Sequence, residues 1–221
     1  MGEARVAVGQ KVRVWDGFVR LTHWLIAILF GFSWGSAEYH HMDYHRYSGY
    51  ALLGLLVFRV YWGCFGSSTA RFIQFVKGPR SVWTYLRSSE SHADLGHNPL
   101  GAISVITLLA LLLTQVVLGL FAVDVDGIES GPLSSLVSFD TGRAFSKVHH
   151  WVFNVLLGFA ALHIAAILYY ALAKRQDLVR PMITGWARVK SAPSAEAKFA
   201  SAWLGVVGIA IAMAVVWVVV K

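Results

Sequence analysis

The chain has 221 residues, of which 57% are hydrophobic and 14% charged, with a formal charge of +7 and a mean hydropathy of +0.58. So few charged side chains cannot cover a water-soluble globule, which excludes a soluble enzyme and points to a protein of the lipid bilayer. The single cysteine, Cys64, excludes an internal disulfide, a Cys-Cys zinc site and the C-x-x-C-H attachment of a c-type haem.

Residues 1–20 are polar and carry Arg5, Lys11, Arg13 and Arg20. They lead into an uncharged run over 21–37 that is about long enough to cross a bilayer. No A-x-A site follows, so this run is expected to persist as the first span rather than to be cleaved. A short connection containing His40, His41 and His45 precedes a second span over 47–70, whose only charge, Arg59, can snorkel to an interface. Residues 71–98 begin amphiphilic, with Phe72, Ile73 and Trp83 among basic residues, and turn polar from Ser88. This segment is expected to lie on the membrane surface. Residues 100–123, 151–173 and 199–220 each run past eighteen residues without Asp, Glu, Lys or Arg, and 130–146 form the main loop between the third and fourth spans. Alternation with period two is absent throughout, so helices satisfy the backbone in lipid. The expected fold is an all-α membrane protein: a four-helix transmembrane bundle within residues 1–190, then a linker and a fifth C-terminal transmembrane helix within 191–221.

Fifteen of the nineteen basic residues fall on one side of these spans, leaving Arg46, Arg143, Lys147 and Lys221 on the other. With six acids on each side, one face carries +9 and the other −2. By the bias of Lys and Arg toward the cytoplasm, the N-terminus is inside and the C-terminus outside. The basic balance is thus a topology signal in contact with membrane lipid, and nucleic acid drops out as a partner.

Ionisable groups inside a bilayer are functional candidates by default, and the spans place His23, His45, His149 and His163 within it or at its edge. His149 and His163 are fourteen residues apart, 40° short of four full turns, so they leave one helix on the same face, roughly 21 Å apart. His23 matches His163 in depth at the inner side, and His45 matches His149 at the outer side. Two such pairs facing across a bundle suit two non-covalent b-type haems, each with two axial imidazoles. Phe153, Leu156 and Ala160 lie on the stripe between His149 and His163. Gly49 and Gly54 leave room for a macrocycle on the second helix. Arg20, three residues before His23, suits a haem propionate or a lipid headgroup, and Arg46 and Arg59 carry the same two options. His150 points off the stripe, His40 and His41 sit in the outer connection, and His92 and His97 in the inner one. A proton or ion relay built from the same histidines, and a membrane anchor for a partner enzyme, are the readings outside redox chemistry.

Several stretches resemble the prokaryotic cytochrome b561 family, which includes the b-type cytochrome subunits of nickel-iron hydrogenases. They are Val14-Trp15-Asp16 with Val19 to Trp24, His45 to Tyr50, Phe58 to Gly63, Ala70-Arg71-Phe72, Gly96 to Gly101, the His149 to His163 helix and Asp177 to Gly185. The resemblance runs from about residue 11 to 190. It implies four helices holding two haems, with His23 and His163 on the inner iron and His45 and His149 on the outer one. It also implies electron transfer in a bacterial inner membrane between quinone and an outward-facing partner, a hydrogenase or a c-type cytochrome. A stand-alone superoxide:quinone oxidoreductase is the alternative within the family. A quinone site is expected near Arg20, Arg71 and His97. The chain departs from the hydrogenase subunits in its short first outer loop and its fifth helix.

Overall fold

The computed structural model describes residues 10–76, 78–87, 96, 98–126, 128–189 and 197–221. Strand β1 (Gln10–Arg13) precedes helices α1 (Gly17–Glu38), α2 (Met42–Phe65), α3 (Phe72–Phe75), α4 (Pro79–Arg87), α5 (Pro99–Phe121), α6 (Phe139–Leu172) and α7 (Val179–Thr184). Strand β2 (Trp186–Val189) and helix α8 (Ala202–Val220) complete the order. Among the described residues α1, α2, α5, α6 and α8 are long and apolar enough to cross a membrane. They turn apolar side chains such as Ile28, Ile103, Leu162 and Val218 outward, as a helix bundle in lipid does. The chain is therefore a multi-pass, all-α membrane protein.

Helices α1, α5 and α6 start where a polar side chain satisfies an open amide of the first turn. Asp16 accepts from Val19 N, Asn98 from Gly101 N and Ser138 from Thr141 N. The last of these caps displaces a sequence-based boundary. Residues 139–146 of the expected 130–146 loop are the first two turns of α6, which has Asp140 in its first turn. Hydropathy marks only the stretch that matches lipid, while a capped helix continues past it with charged residues. The second helix likewise runs over 42–65 rather than 47–70. It ends at Gly66, where a Cβ would stand 2.4 Å from the carbonyl of Trp62.

Helix α1 packs along α2 and α5 along α6, with a smaller α2–α5 contact, and α8 lies along α2. One core, around Leu53, Leu56, Leu112, Val116, Leu120 and Leu156, joins α2, α5 and α6. The other, around Trp15, Val19, Phe58 and Trp62, draws in Ala212 of α8. Two glycines seat α8: a Cβ on Gly205 would stand 2.1 Å from the Phe18 ring, and one on Gly208 2.6 Å from Tyr61. Phe18 in turn packs against Trp62, with ring centroids 4.7 Å apart and planes tilted by 52°, so it has little room to yield. Gly205→Ala is expected to cost about 1–3 kcal/mol through overpacking, measurable as a lower midpoint of thermal unfolding in detergent.

The end of the bundle that carries most of the basic residues is closed by short elements. β1 pairs antiparallel with β2, Gln10 opposite Val189 and Arg13 opposite Trp186. Gly185 ends α7 in the left-handed region at φ 87° and accepts Val14 N and Trp15 N. A Cβ there would stand 2.8 Å from the carbonyl of Trp15. This two-stranded ribbon joins distant parts of the chain and has no counterpart in the hydropathy pattern. The amphiphilic start of 71–98 forms α3 and α4. Tyr85 of α4 bonds the hydroxyl of Tyr170 on α6 at 2.9 Å, and Asn98 donates to the same hydroxyl at 3.0 Å.

Burial, reinforced by that bond, pushes the Tyr85 hydroxyl up to about 12. The neutral form is the one the fold holds, so its contribution is complete below the ordinary tyrosine value of about 10. It is lost as pH rises through about 12. Trp83 fluorescence is expected to stay constant up to pH 10 and to change above it as α4 detaches. In Tyr85→Phe that step should vanish.

Candidate functional site

His45 occupies the first turn of α2 and His149 lies ten residues into α6, at the end of the bundle opposite the basic one. Their ring centroids are 6.1 Å apart with planes at 85°. His45 Nδ1 lies 2.9 Å from the carbonyl oxygen of Ser33 and 3.1 Å from its hydroxyl. His149 Nδ1 lies 2.9 Å from the carbonyl oxygen of Gln115. A carbonyl can only accept, so both Nδ1 atoms carry the proton and Nε2 is the bare nitrogen of each ring. Fixing one ring nitrogen on a backbone acceptor is how proteins orient the other toward a metal. The centroid distance suits two imidazoles sharing one ion, with a bond of about 2 Å on either side and half a ring at each end.

The second pair lies toward the basic end. His23 is in the second turn of α1, and His163 Nδ1 is 3.2 Å from the hydroxyl of Ser104 on α5. His23 is within electrostatic reach of His163 and of Arg59. Its Nδ1 is buried without a hydrogen-bond partner, and its ring meets Trp24 edge-on at 5.1 Å. Between the pairs the α6 stripe is apolar. Leu156 is 1% exposed, and Phe153 meets Phe30 at 6.1 Å and Trp34 at 5.8 Å across from α1.

Among the described residues no group of three His, Cys, Asp or Glu side chains converges. Each histidine pair offers two imidazole nitrogens, a donor set that would fit a group bringing its own equatorial donors, as a haem does. Gly49, one turn past His45, has open space where a Cβ would stand. Gly54 differs from the expectation: its Cβ position meets Val216 of α8 at 3.3 Å, so it serves helix packing and admits no macrocycle.

The other candidates divide clearly. Arg20 bonds the carbonyls of Asp16 and Ile183 through Nε and Nη1, which ties α1 to α7. Arg46 is paired with Asp43 and Glu129, and Arg71 donates to the Gly66 carbonyl at 2.8 Å. Arg59 is 6% exposed, lies over the Phe72 ring and has a buried Nη1 without a partner. His150 is exposed and bonds its own helix at Ser146. His40 takes a left-handed φ of 58° in the α1–α2 turn, a position histidine tolerates better than most residues. His92 and His97 lie outside the described residues.

Spacing arguments missed the groups that meet the histidine rings: Ser33, Ser104, the Gln115 carbonyl and Gly119. They also missed Asp16, which is 5% exposed and accepts from Trp62 Nε1 at 3.0 Å as well as capping α1.

The family model described as prokaryotic cytochrome b561 matches residues 14–185. A probable Ni/Fe-hydrogenase B-type cytochrome subunit of Azotobacter chroococcum mcd 1 is 23% identical over 224 residues, covering 86% of this chain and 93% of that one. No solved structure matches.

Proposed function

We propose, for a chain that belongs to the prokaryotic cytochrome b561 family, that it is a di-haem cytochrome b of the bacterial inner membrane. In this reading it passes electrons between the quinone pool and an outward-facing redox partner, with its N-terminus in the cytoplasm. The observation that carries this is the two-depth arrangement: His45 and His149 at 6.1 Å with both Nε2 atoms bare, and His23 with His163 toward the basic end.

Haem supplies reversible one-electron chemistry at its iron. The protein supplies the rest. His45 and His149 would hold the outer group, through their Nε2 atoms, and His23 and His163 would hold the inner one. Gly49 leaves space for the outer macrocycle, and Leu156 and Phe153 keep water out of the path between the two. The name of the Azotobacter relative supports an outward hydrogenase as partner, and a c-type cytochrome is the other candidate. In this reading the quinone headgroup binds at the inner interface, on the side where Arg20 and Arg71 lie.

The test is to mix the dithionite-reduced, desalted protein anaerobically with a short-chain quinone and follow the haem α band. The band should decay, with one quinone reduced for every two haems oxidised. Haem bands that persist with quinone but decay with a soluble one-electron acceptor would contradict a quinone reaction.

A further inference from the structure

The four ligand imidazoles are not held alike, and the difference divides the two ends of the bundle. At the outer pair both Nδ1–H groups donate to main-chain carbonyls at 2.9 Å. Such a bond pulls the proton away from the ring and makes Nε2 the stronger electron donor. At the inner pair His163 faces a hydroxyl at 3.2 Å, which rotates and can itself donate. His23 Nδ1 has no partner. A more basic ligand set favours the oxidised iron, so the outer site holds an electron less tightly.

Nearby charge acts in the same direction. Arg46, next to His45, is neutralised by Asp43 and Glu129. Arg59, within reach of His23, is buried with Nη1 unpaired, and Asp16 offsets part of its charge. A buried cation opposes the extra positive charge of the oxidised iron and so favours reduction of the inner site.

We propose that this asymmetry separates the two haems in midpoint potential, with the His45/His149 haem lower and the His23/His163 haem higher. Electrons therefore settle at the inner haem. The proposal rests on the di-haem reading above and names the residues that tune it.

Gly119 makes the outer bond possible. A helical side chain covers the turn N-terminal to its own position, so a residue at 119 would lie over the carbonyl of Gln115. Glycine leaves that carbonyl open to a second donor. A Cβ at 119 would stand 3.1 Å from His149 Cε1 and 3.4 Å from its Nδ1, so Gly119→Ala should press the imidazole off its acceptor without removing a ligand.

Anaerobic spectroelectrochemistry of the purified holoprotein tests this. The wild type should show two components, and His163→Ala should keep only the lower one. Gly119→Ala should raise the lower midpoint and leave the upper in place, while Arg59→Gln should lower the upper and leave the lower. A residual component in His163→Ala at the higher midpoint would overturn the order, as would Gly119→Ala moving the upper component or neither. If His163→Ala does not fold, the Gly119 and Arg59 variants, which keep all four ligands, decide the matter by themselves. A wild-type chain with no haem would instead remove the di-haem reading on which the proposal stands.

Discussion

Replacing His149 by alanine is expected to lower the haem content of the purified chain from two per protein to one, with the outer haem lost and the inner retained. The haem is held without covalent attachment, because the only cysteine is Cys64. Axial imidazole therefore carries a large share of its binding. His45→Ala should give the same result, since its ring faces that of His149 at 6.1 Å, and His163→Ala should give the converse. His150 supplies the control. It neighbours His149 in sequence, yet it is exposed and its Nδ1 bonds the Ser146 carbonyl of its own helix. His150→Ala should keep both haems. Pyridine haemochrome quantitation against protein concentration reads all four variants. Loss of haem with His150→Ala beside full retention with His149→Ala would reverse the face assignment of α6.

The second large effect is expected at Asp16, where one carboxylate serves three purposes. It caps α1 through Val19 N at 2.8 Å and accepts from Trp62 Nε1 at 3.0 Å. It also supplies negative charge near the buried Arg59. Trp62 is fully buried, so its N–H has no water to turn to. Asp16→Ala removes a cap, orphans a buried donor and leaves a buried cation without its counter-charge, a loss on the order of 3–5 kcal/mol. Asp16 uses both of its oxygens, Oδ1 toward Val19 N and Oδ2 toward Trp62 Nε1, whereas Asn offers one carbonyl oxygen and turns a donor to the other partner. Asp16→Asn therefore loses the charge and one acceptor but keeps the other, and should fall between Asp16→Ala and the wild type. Thermal unfolding in detergent measures the three proteins side by side. Equal midpoints for all three would show that the Asp16 cluster contributes nothing to stability.

The architecture, and the approach of His45 to His149, were readable in the sequence because both rest on strong, local signals. Charge-free runs longer than eighteen residues have one structural solution in lipid, and a fourteen-residue spacing fixes two side chains to one face of any helix. The first turns of α6 were hidden because Asp140, Arg143 and Lys147 break the hydropathy run, although Ser138 offered a cap. Gly54 was misassigned because glycine reports a close approach without saying what approaches; the neighbour is Val216, from a helix 162 positions further on. The carbonyls of Ser33 and Gln115 carry no side-chain signature at all. Only the register of α1 against α2, and of α5 against α6, brings them to His45 and His149. The β1–β2 ribbon was equally hidden, since each strand has four residues and the partners lie at opposite ends of the bundle sequence.

The most direct test of the account is a dithionite-reduced minus oxidised spectrum with pyridine haemochrome quantitation on the detergent-purified chain. The histidine geometry predicts two b-type haems per chain. A colourless protein, after expression with adequate haem supply, would contradict it and return His23, His45, His149 and His163 to a proton-relay or structural role.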